Sequence, residues 1–202
     1  MEELYKAVRD LFEPYQPLAH DIKHALRTAS LARQIALAER YDADEAEAAG
    51  LLHDVGRTVK DSANFHAHEG APMARKILDD HTSFSEEAKK RITDAIYVHS
   101  DLTTEGKLNN ILQDADKLDG LGTLGISRAY MTHYNKQDFD FHNIFPDSAA
   151  YGQTKYAHDQ IRVQMNWYSM LYTQKAKDIG KARYAFMEKF IEEFKREVAE
   201  SI

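Results

Sequence analysis

The sequence of 202 residues has no cysteine, only four prolines and no long apolar run. Without cysteine there are no disulfides and no thiolate metal sites, so histidine and carboxylate side chains are the only strong metal ligands available. No uncharged apolar stretch approaches the roughly 18–20 residues that a membrane span needs. The N-terminal segment MEELYKAVRDLFE lacks the basic and then apolar pattern of a signal peptide. We therefore expect a cytoplasmic protein that does not bind membranes.

Basic residues are also in the minority. The chain has 26 Lys and Arg against 33 Asp and Glu, which gives a formal net charge of −7. A surface of that sign repels phosphate backbones, so nucleic-acid binding is disfavoured. A hydrophobic fraction of 43% is ordinary for a globular chain and too high for a disordered one. The length suits a single domain with one sizeable core.

Valine is scarce, with six residues, whereas alanine occurs 26 times. Alanine has the highest helix propensity and β-branched residues favour strands, so the composition predicts an all-α fold. Leu4, Val8, Leu11 and Phe12 share one face of a short first helix. Asp42 and Glu45 form a capping-box pattern for a helix that runs to about Asp54. The other helices are predicted over residues 18–40, 67–80, 85–99, 105–118, 121–134, 151–171 and 174–200, with 135–150 as a long loop that is either a lid or a surface excursion.

The dipeptide His53–Asp54 ends a helix whose small residues allow another helix to approach closely. Leu51 and Leu52 make this turn apolar, and Gly56 follows it. Two polar residues at such a position are costly to bury unless they find partners. The spacing fits a buried His-Asp pair with a chemical role, and it also fits a satisfied core histidine beside a capping aspartate.

Two further groups of polar residues lie on apolar helix faces. His24 shares the face of Leu31 and Ile35 on the second predicted helix. Three carboxylates, Asp114, Asp116 and Asp119, lie within six residues of an otherwise apolar segment. Such carboxylates are hard to bury without a cation, although a solvated helix end would also explain them. From spacing alone, a metal ligand in this segment is either Asp114 or Asp116.

Together these residues form the motifs H-D-x-x-H-x-x-R at 20–27, L-L-H-D-V-G-R at 51–57 and D-A-D-K-L-D at 114–119. The combination resembles the HD-domain superfamily of metal-dependent phosphohydrolases. The segments GLGTLGISRAY and TQKAKDIGKARYAFMEKFIEEF resemble a small bacterial branch, some of whose members are described as nucleotide pyrophosphohydrolases. The resemblance covers most of residues 18–198. It implies a single-domain HD-type helical bundle over residues 1–202, with the metal site between central helices, a motif core at about 18–134 and C-terminal helices at about 151–200.

The resemblance also implies a ligand set of two imidazoles and two carboxylates, namely His24, His53, Asp54 and Asp116. Such a set suits one divalent ion, Mn²⁺, Mg²⁺, Fe²⁺, Co²⁺, Ni²⁺ or Zn²⁺. We favour Mn²⁺ and leave a second metal open.

Further roles follow from the same resemblance. Asp54 is expected to orient the attacking water, and His68 and His99 are expected to lie over the metal, where they hold phosphate, protonate the leaving group or bind a second metal. Arg27, Arg57 and Lys117 are cations close to these motifs in the sequence and are expected to bind substrate phosphates, although a solvated surface charge explains Arg57 at least as well. Asp21 and Asp119 are expected to orient ligands, although Asp21 is equally suited to cap a helix. His66 is expected to face away from His68.

The expected function is metal-dependent hydrolysis of a nucleotide or a related phosphate ester or anhydride, including release of pyrophosphate from a nucleoside triphosphate. The alternatives are a nucleotide-binding regulatory protein without turnover and a dinuclear phosphodiesterase or oxygenase. No G-x-x-x-x-G-K-[ST] loop is present, which disfavours a kinase or GTPase. The expected partner is a small phosphorylated molecule, and a homodimer is left open.

Overall fold

The structure, a computed structural model, describes residues 1–15, 19–59, 66–101, 106–147, 149 and 153–201. It divides into two compact units, Met1–Asp116 and Lys117–Ile202. The regular structure of the described residues is helical, apart from an isolated bridge between Asp140 and Asn143. The all-α fold predicted from composition is therefore confirmed, whereas a single domain over residues 1–202 stays a prediction. None of the helices in the described residues combines the length and apolar character needed to cross a bilayer.

The helices follow the predicted order along the chain. They are α1 (Glu2–Phe12), α2 (Ile22–Ala38), α3 (Ala43–Leu52), α4 (His66–His81), α5 (Glu86–Val98), α6 (Lys107–Asp119), α7 (Gly122–Thr132), α8 (Ala157–Asn166) and α9 (Gln174–Ser201). Short 3-10 turns lie at Val55–Thr58 and Trp167–Met170. The predicted starts at residues 18, 105 and 151 lie outside the described residues.

Helices α2 and α3 pack backbone to backbone in the first unit. A Cβ atom placed on Gly50 would lie 2.8 Å from the Cα of Ala29 and 2.9 Å from the carbonyl oxygen of Thr28. Alanine side chains fill the rest of this contact, and Ala32, Ala46 and Ala49 are fully buried. Because His24 lies on α2 and His53 directly follows α3, this close packing brings the two imidazoles together.

Asp42 caps α3 as predicted, since its carboxylate accepts the N–H groups of Asp44 and Glu45 at 2.9 and 3.0 Å. The second half of the predicted capping box is wrong. The Glu45 carboxylate is buried and accepts hydrogen bonds from Arg91 on α5 and from the Tyr41 hydroxyl. An ion pair with a neighbouring helix therefore replaces the local bond back to Asp42.

The 3-10 turn after Asp54 lies directly against the start of α4. A Cβ atom on Gly56 would lie 2.0 Å from the carbonyl oxygen of His66 and 2.8 Å from the amide nitrogen of Gly70. Only glycine permits this approach, because any side chain would strike main-chain atoms. The contact places the first residue of α4, His66, beside Asp54.

In the second unit, α7 packs against α8 and α9. The predicted helix over 151–171 is shorter than expected: it begins at Ala157, because the Asp159 carboxylate accepts the N–H groups of Lys155 and Tyr156 at 2.9 and 3.0 Å. It gives way to the 3-10 turn at Trp167, whose ring lies against Gly120.

The predicted loop over 135–150 is irregular in its described residues, and His158 on α8 fixes it in place. The His158 backbone N–H donates to the carbonyl of Asp138 at 3.1 Å, and its Nδ1–H donates to the carbonyl of Ile144 at 2.7 Å. Its ring stacks on Phe145 with centroids 3.9 Å apart and on Phe139 at 5.1 Å. This part of the loop is therefore packed against α8.

Candidate metal centre

Four ligand-type side chains converge in the first unit. The Nε2 atoms of His24 and His53 lie 3.2 Å apart. Oδ2 of Asp54 lies 3.6 Å from the first and 3.5 Å from the second, and Oδ1 of Asp116 lies 3.3 and 3.9 Å from them. Neighbouring ligands around an ion with bonds of about 2.1 Å are about 3.0–3.4 Å apart. The measured separations of 3.2–3.9 Å lie within or slightly above this range, so the four side chains could close on one small divalent ion.

The tautomer of His53 is fixed by its surroundings. Its Nδ1 lies 2.8 Å from the carbonyl oxygen of Gly50, which accepts only a donated N–H. Burial lowers the pKa of His53, so the ring is neutral at pH 7 and its Nε2 has a lone pair. That lone pair faces Nε2 of His24 at 3.2 Å. Two lone pairs at this distance repel, so either a proton on His24 or a cation lies between them.

Asp54 is almost fully buried and its two oxygens face different partners. Oδ2 accepts a hydrogen bond from Nδ1 of His20 at 2.7 Å, and Oδ1 accepts one from Nε of Arg57 at 2.8 Å. Burial alone would raise the pKa of this carboxyl, but His53, His20 and Arg57 hold it well below its usual value. Asp54 is therefore a carboxylate throughout the neutral range.

Asp116, on α6, is the carboxylate of the D-A-D-K-L-D segment that reaches the two imidazoles. Burial opposes its ionisation, but the hydrogen bond from His24 and the charge of His53 hold its pKa well below the usual value. Asp114, the alternative from spacing, is also buried. Asp116 is therefore placed to bind a metal with the two imidazoles, and its role as a ligand stays a prediction.

A second group of ligand-type atoms lies on the other side of Asp54. Nε2 of His66 lies 3.6 Å from Oδ1 of Asp54 and 3.3 Å from Nε2 of His99. His99 donates its Nδ1–H to the carbonyl of Ile96 at 2.6 Å, and burial, followed by the charge of His53, lowers its pKa. The described residues thus hold three groups of ligand-type atoms: His20 with His24 and Asp54, His24 with His53 and Asp116, and Asp54 with His66 and His99.

Among the predicted site residues, His68 does not lie beside Asp54. Its exposed ring stacks on Tyr97 with centroids 4.3 Å apart. The structure corrects the choice between the two histidines of α4, because His66 and not His68 reaches Asp54. The reason is that His66 is the first residue of α4 and is held there by the contact with Gly56.

The other predicted positions differ in their partners. Asp21 caps α2, since its carboxylate accepts the backbone N–H of His24 at 3.0 Å rather than a ring N–H. In the second unit, Asp119 pairs with Arg128 at 2.7 Å, and the ammonium of the buried Lys117 lies 5.8 Å from the ring centroid of Tyr172. Arg27 is half-buried on α2. The roles predicted for these residues stay predictions.

Three residues of the cluster were not predicted as site residues. His20 lies one helical turn before His24, so its i, i+4 spacing was an available signal. His66 offered no such signal, because its position depends on how α4 begins. Ser100 lies with its hydroxyl 3.3 Å from Nε2 of His66 and 3.4 Å from Nε2 of His99, next to the end of α5.

The chemistry of the first group fits a divalent metal. It offers two imidazole nitrogens and two ionised carboxylates, so the negative charge of the carboxylates matches the charge of such an ion. A hydrogen bond from Nδ1 to a main-chain carbonyl, as in His53, is the usual way in which proteins orient a ligating imidazole.

Comparison with known proteins agrees with this geometry. The family model of the HD domain matches residues 21–121. The chain is 27% identical to the Bacillus subtilis protein YpgQ over 190 residues, which are 89% of this chain and 84% of that protein. A predicted HD superfamily hydrolase from an uncultured Thermotogales bacterium superposes with a TM-score of 0.71 at 27% identity, covering 98% of this chain and 92% of that one. The structure of YpgQ in complex with ADP has a TM-score of 0.71 at 23% identity, covering 97% and 93% of the two chains.

Proposed function

This chain belongs to the HD domain family, and we propose that it hydrolyses nucleoside triphosphates at the α-phosphorus, releasing pyrophosphate. It is a metal-dependent hydrolase of the HD superfamily. The observation that supports the proposal is the convergence of His24, His53, Asp54 and Asp116, which would hold the metal. When bound there, a divalent ion would lower the pKa of a water molecule and neutralise charge on phosphoryl oxygens.

Asp54 is the residue best suited to orient the attacking water. Its Oδ2 faces the other ligand atoms, and the bonds from His20 and Arg57 hold the carboxylate plane in one orientation. A carboxylate whose pKa is held low stays an acceptor throughout the reaction. It can therefore accept a hydrogen bond from the water without changing its own protonation state.

The state of His99 favours an anhydride over an ester as substrate. Because burial lowers its pKa and its Nδ1–H is used on Ile96, the ring is neutral and presents an acceptor at Nε2. A neutral ring is a poor proton donor for an alkoxide, which an ester would release. Pyrophosphate leaves without a proton at neutral pH, so the reaction we propose does not need a general acid.

Nucleotide binding by a related protein supports the substrate class. YpgQ, which shares the fold, has been crystallised with ADP. We propose that this chain likewise binds a nucleotide, with Arg27 and Lys117 as candidates to hold its phosphates. Their positive charges would stabilise the pyrophosphate as it departs.

Product analysis in ¹⁸O-labelled water tests the proposal. The protein is incubated with Mn²⁺ and a panel of nucleoside triphosphates. The products are separated by anion exchange, and their masses are measured by mass spectrometry. Nucleoside monophosphate that contains ¹⁸O, together with unlabelled pyrophosphate, supports attack at the α-phosphorus. Label in pyrophosphate, stepwise release of orthophosphate, or activity on monophosphates alone contradicts it.

The same samples separate turnover from regulation. Asp116→Asn keeps the shape of the side chain but removes its single negative charge, so it serves as the matched control with weakened metal binding. Nucleotide binding without any product in the unaltered protein would favour the regulatory alternative instead.

A further inference from the structure

Arg57 provides a positive charge beside the second group of ligand-type atoms. We propose that its guanidinium occupies the position that a second metal ion would take next to Asp54, so that the site holds one divalent ion per chain. This inference rests on the proposed function, because it concerns which atoms around Asp54 remain available to metal.

The two oxygens of Asp54 are used for different purposes. Oδ2 lies 3.5 Å from Nε2 of His53 and 3.6 Å from Nε2 of His24, within the first group. Oδ1 lies 2.8 Å from Nε of Arg57 and 3.6 Å from Nε2 of His66. A carboxylate arranged in this way could bridge two metal ions, and what lies beside Oδ1 decides whether it does.

The guanidinium of Arg57 binds two of the three ligand-type atoms of the second group, those of Asp54 and His66. Its Nε donates to Oδ1 of Asp54, and its Nη2 lies 3.2 Å from Nε2 of His66. Arginine has no acceptor and stays charged, so it must be the donor in both contacts. His66 therefore accepts at Nε2, the atom through which it would bind a metal.

Ser100 completes this arrangement. Its hydroxyl lies 3.3 Å from Nε2 of His66 and 3.4 Å from Nε2 of His99, so it is placed to donate to either ring. His99 presents a lone pair at Nε2 because its Nδ1–H is used on Ile96. The Nε2 atoms of His66 and His99 lie 3.3 Å apart. The guanidinium and the hydroxyl supply the positive charge and the proton that two facing imidazole acceptors need at this distance.

The charges lead to the same conclusion. Around His24 and His53, Asp54 and Asp116 both offer carboxylate oxygens. In the second group, Asp54 is the only carboxylate among the described residues. A second divalent ion would share that single carboxylate with the first ion and lie next to the Arg57 guanidinium. Repulsion between like charges in a buried site makes this arrangement unfavourable.

Metal stoichiometry tests the inference without an activity assay. The holoprotein is loaded with Mn²⁺, dialysed and analysed for metal per chain, and the metal-free protein is titrated with Mn²⁺ by calorimetry. We expect one ion in the unaltered protein and in Arg57→Lys, which keeps the charge. We expect two ions in Arg57→Met, and the additional binding event should disappear in the double variant Arg57→Met with His66→Ala.

Two ions per chain in the unaltered protein, or a single ion in folded Arg57→Met, would overturn the inference. His66→Ala alone gives an independent answer if Arg57→Met does not fold: an unchanged count of one supports the inference, and a lower count than in the unaltered protein overturns it. Asp116→Asn distinguishes failure of this inference from failure of the proposed function. If the unaltered protein binds no Mn²⁺ and Asp116→Asn makes no difference, the proposed function fails together with the inference.

Discussion

His53 in the first unit and His158 in the second are both buried, and each donates its Nδ1–H to a main-chain carbonyl. Their Nε2 atoms differ. Nε2 of His158 accepts a hydrogen bond from the Tyr130 hydroxyl at 2.9 Å, so every polar atom of the ring has a protein partner. Nε2 of His53 instead faces His24, Asp54 and Asp116.

A second pair of buried histidines, His133 and His99, shows the same difference at Nε2. His133, in the second unit, has Nδ1 3.0 Å from the carbonyl of Ala129 and Nε2 3.2 Å from the Thr154 hydroxyl. His99, in the first unit, has Nδ1 on a carbonyl, but its Nε2 faces another imidazole. Burial therefore does not distinguish a structural histidine from a ligand, whereas the partner of the second ring nitrogen does.

The largest expected effect separates His53 from His158. His53→Ala should weaken metal binding by at least about 100-fold, the upper end of what losing even an outer partner of a ligand costs, and should abolish nearly all hydrolysis. His158→Ala should keep the metal but lower the free energy of unfolding by about 2–4 kcal/mol, because it leaves a cavity and two unpaired polar groups. Elemental analysis and urea denaturation measure the two effects. If purified His53→Ala contained as much metal per chain as the unaltered protein, His53 would not be a metal ligand and the contrast with His158 would be wrong.

A smaller effect is expected at His99. A general acid would contribute about 10²–10⁴-fold to the rate, but a neutral ring that only accepts a hydrogen bond should contribute about 10–100-fold, as outer partners of a site do. His99→Ala should therefore lose turnover within the lower range and keep its metal. His68→Ala, whose ring is exposed and stacks on Tyr97, is the matched control and should change the rate little. A loss above 10³-fold at His99 would restore the general-acid role.

The pH dependence of metal binding sharpens the contrast further. Burial lowers the pKa of His53 and of His158 below 6.5. Between the folded-state pKa and 6.5, the unfolded chain binds more protons than the folded chain. The free energy of unfolding therefore decreases as the pH falls through this window, and these two rings do not change it above pH 6.5. A bound ion competes with the proton at His53, so below the pKa of this ring the affinity should fall by up to about tenfold per pH unit.

Nuclear magnetic resonance of the imidazole protons checks this expectation. Diamagnetic Zn²⁺ should displace the signals of His24 and His53 and move the titration of His53 to lower pH, while the signals of His133 and His158 stay where they are. Zn²⁺-dependent shifts of the His158 signal would contradict its purely structural role.

The smallest effect concerns Asp21, which was predicted to act either as an orienting residue or as a helix cap. Since its carboxylate accepts the backbone N–H of His24, Asp21→Ala should lower the free energy of unfolding by about 1 kcal/mol, the usual value for an N-cap. Metal affinity should change by less than a few fold. A large loss of affinity with unchanged stability would support the orienting role instead. Thermal denaturation and calorimetric titration give the two values, with Asp42→Ala, the cap of α3, as a control.

Sequence periodicity and capping residues were sufficient for the helices. Leu4, Val8 and Phe12 are buried on one face of α1 as predicted, and Ser85 caps α5 by accepting the N–H of Ala88 at 3.2 Å. Errors occurred where a tertiary partner replaced a local one. Glu45 illustrates this, because its bond to Arg91 on α5 cannot be seen from the sequence around α3.

The candidate site was predicted unevenly for a similar reason. Residues in the HD motifs, such as His53 and Asp116, are identified by type and order along the chain. Contacts made by helix starts depend on packing: the choice of His68 over His66 failed because no local pattern reveals that α4 begins against Gly56. The two bonds of Arg57 likewise depend on that packing.

The main-chain contact between Gly50 and Ala29 has a consequence for how the site is loaded. Because backbone touches backbone there, the spacing between His24 and His53 is set by the helices themselves and not by side chains that could rearrange. The two imidazoles are then in place before an ion arrives, so binding an ion between them would cost little conformational entropy. The ion that occupies the site in a cell would accordingly be decided by which ions are available and by how readily each exchanges its water, with the protein serving as a rigid template.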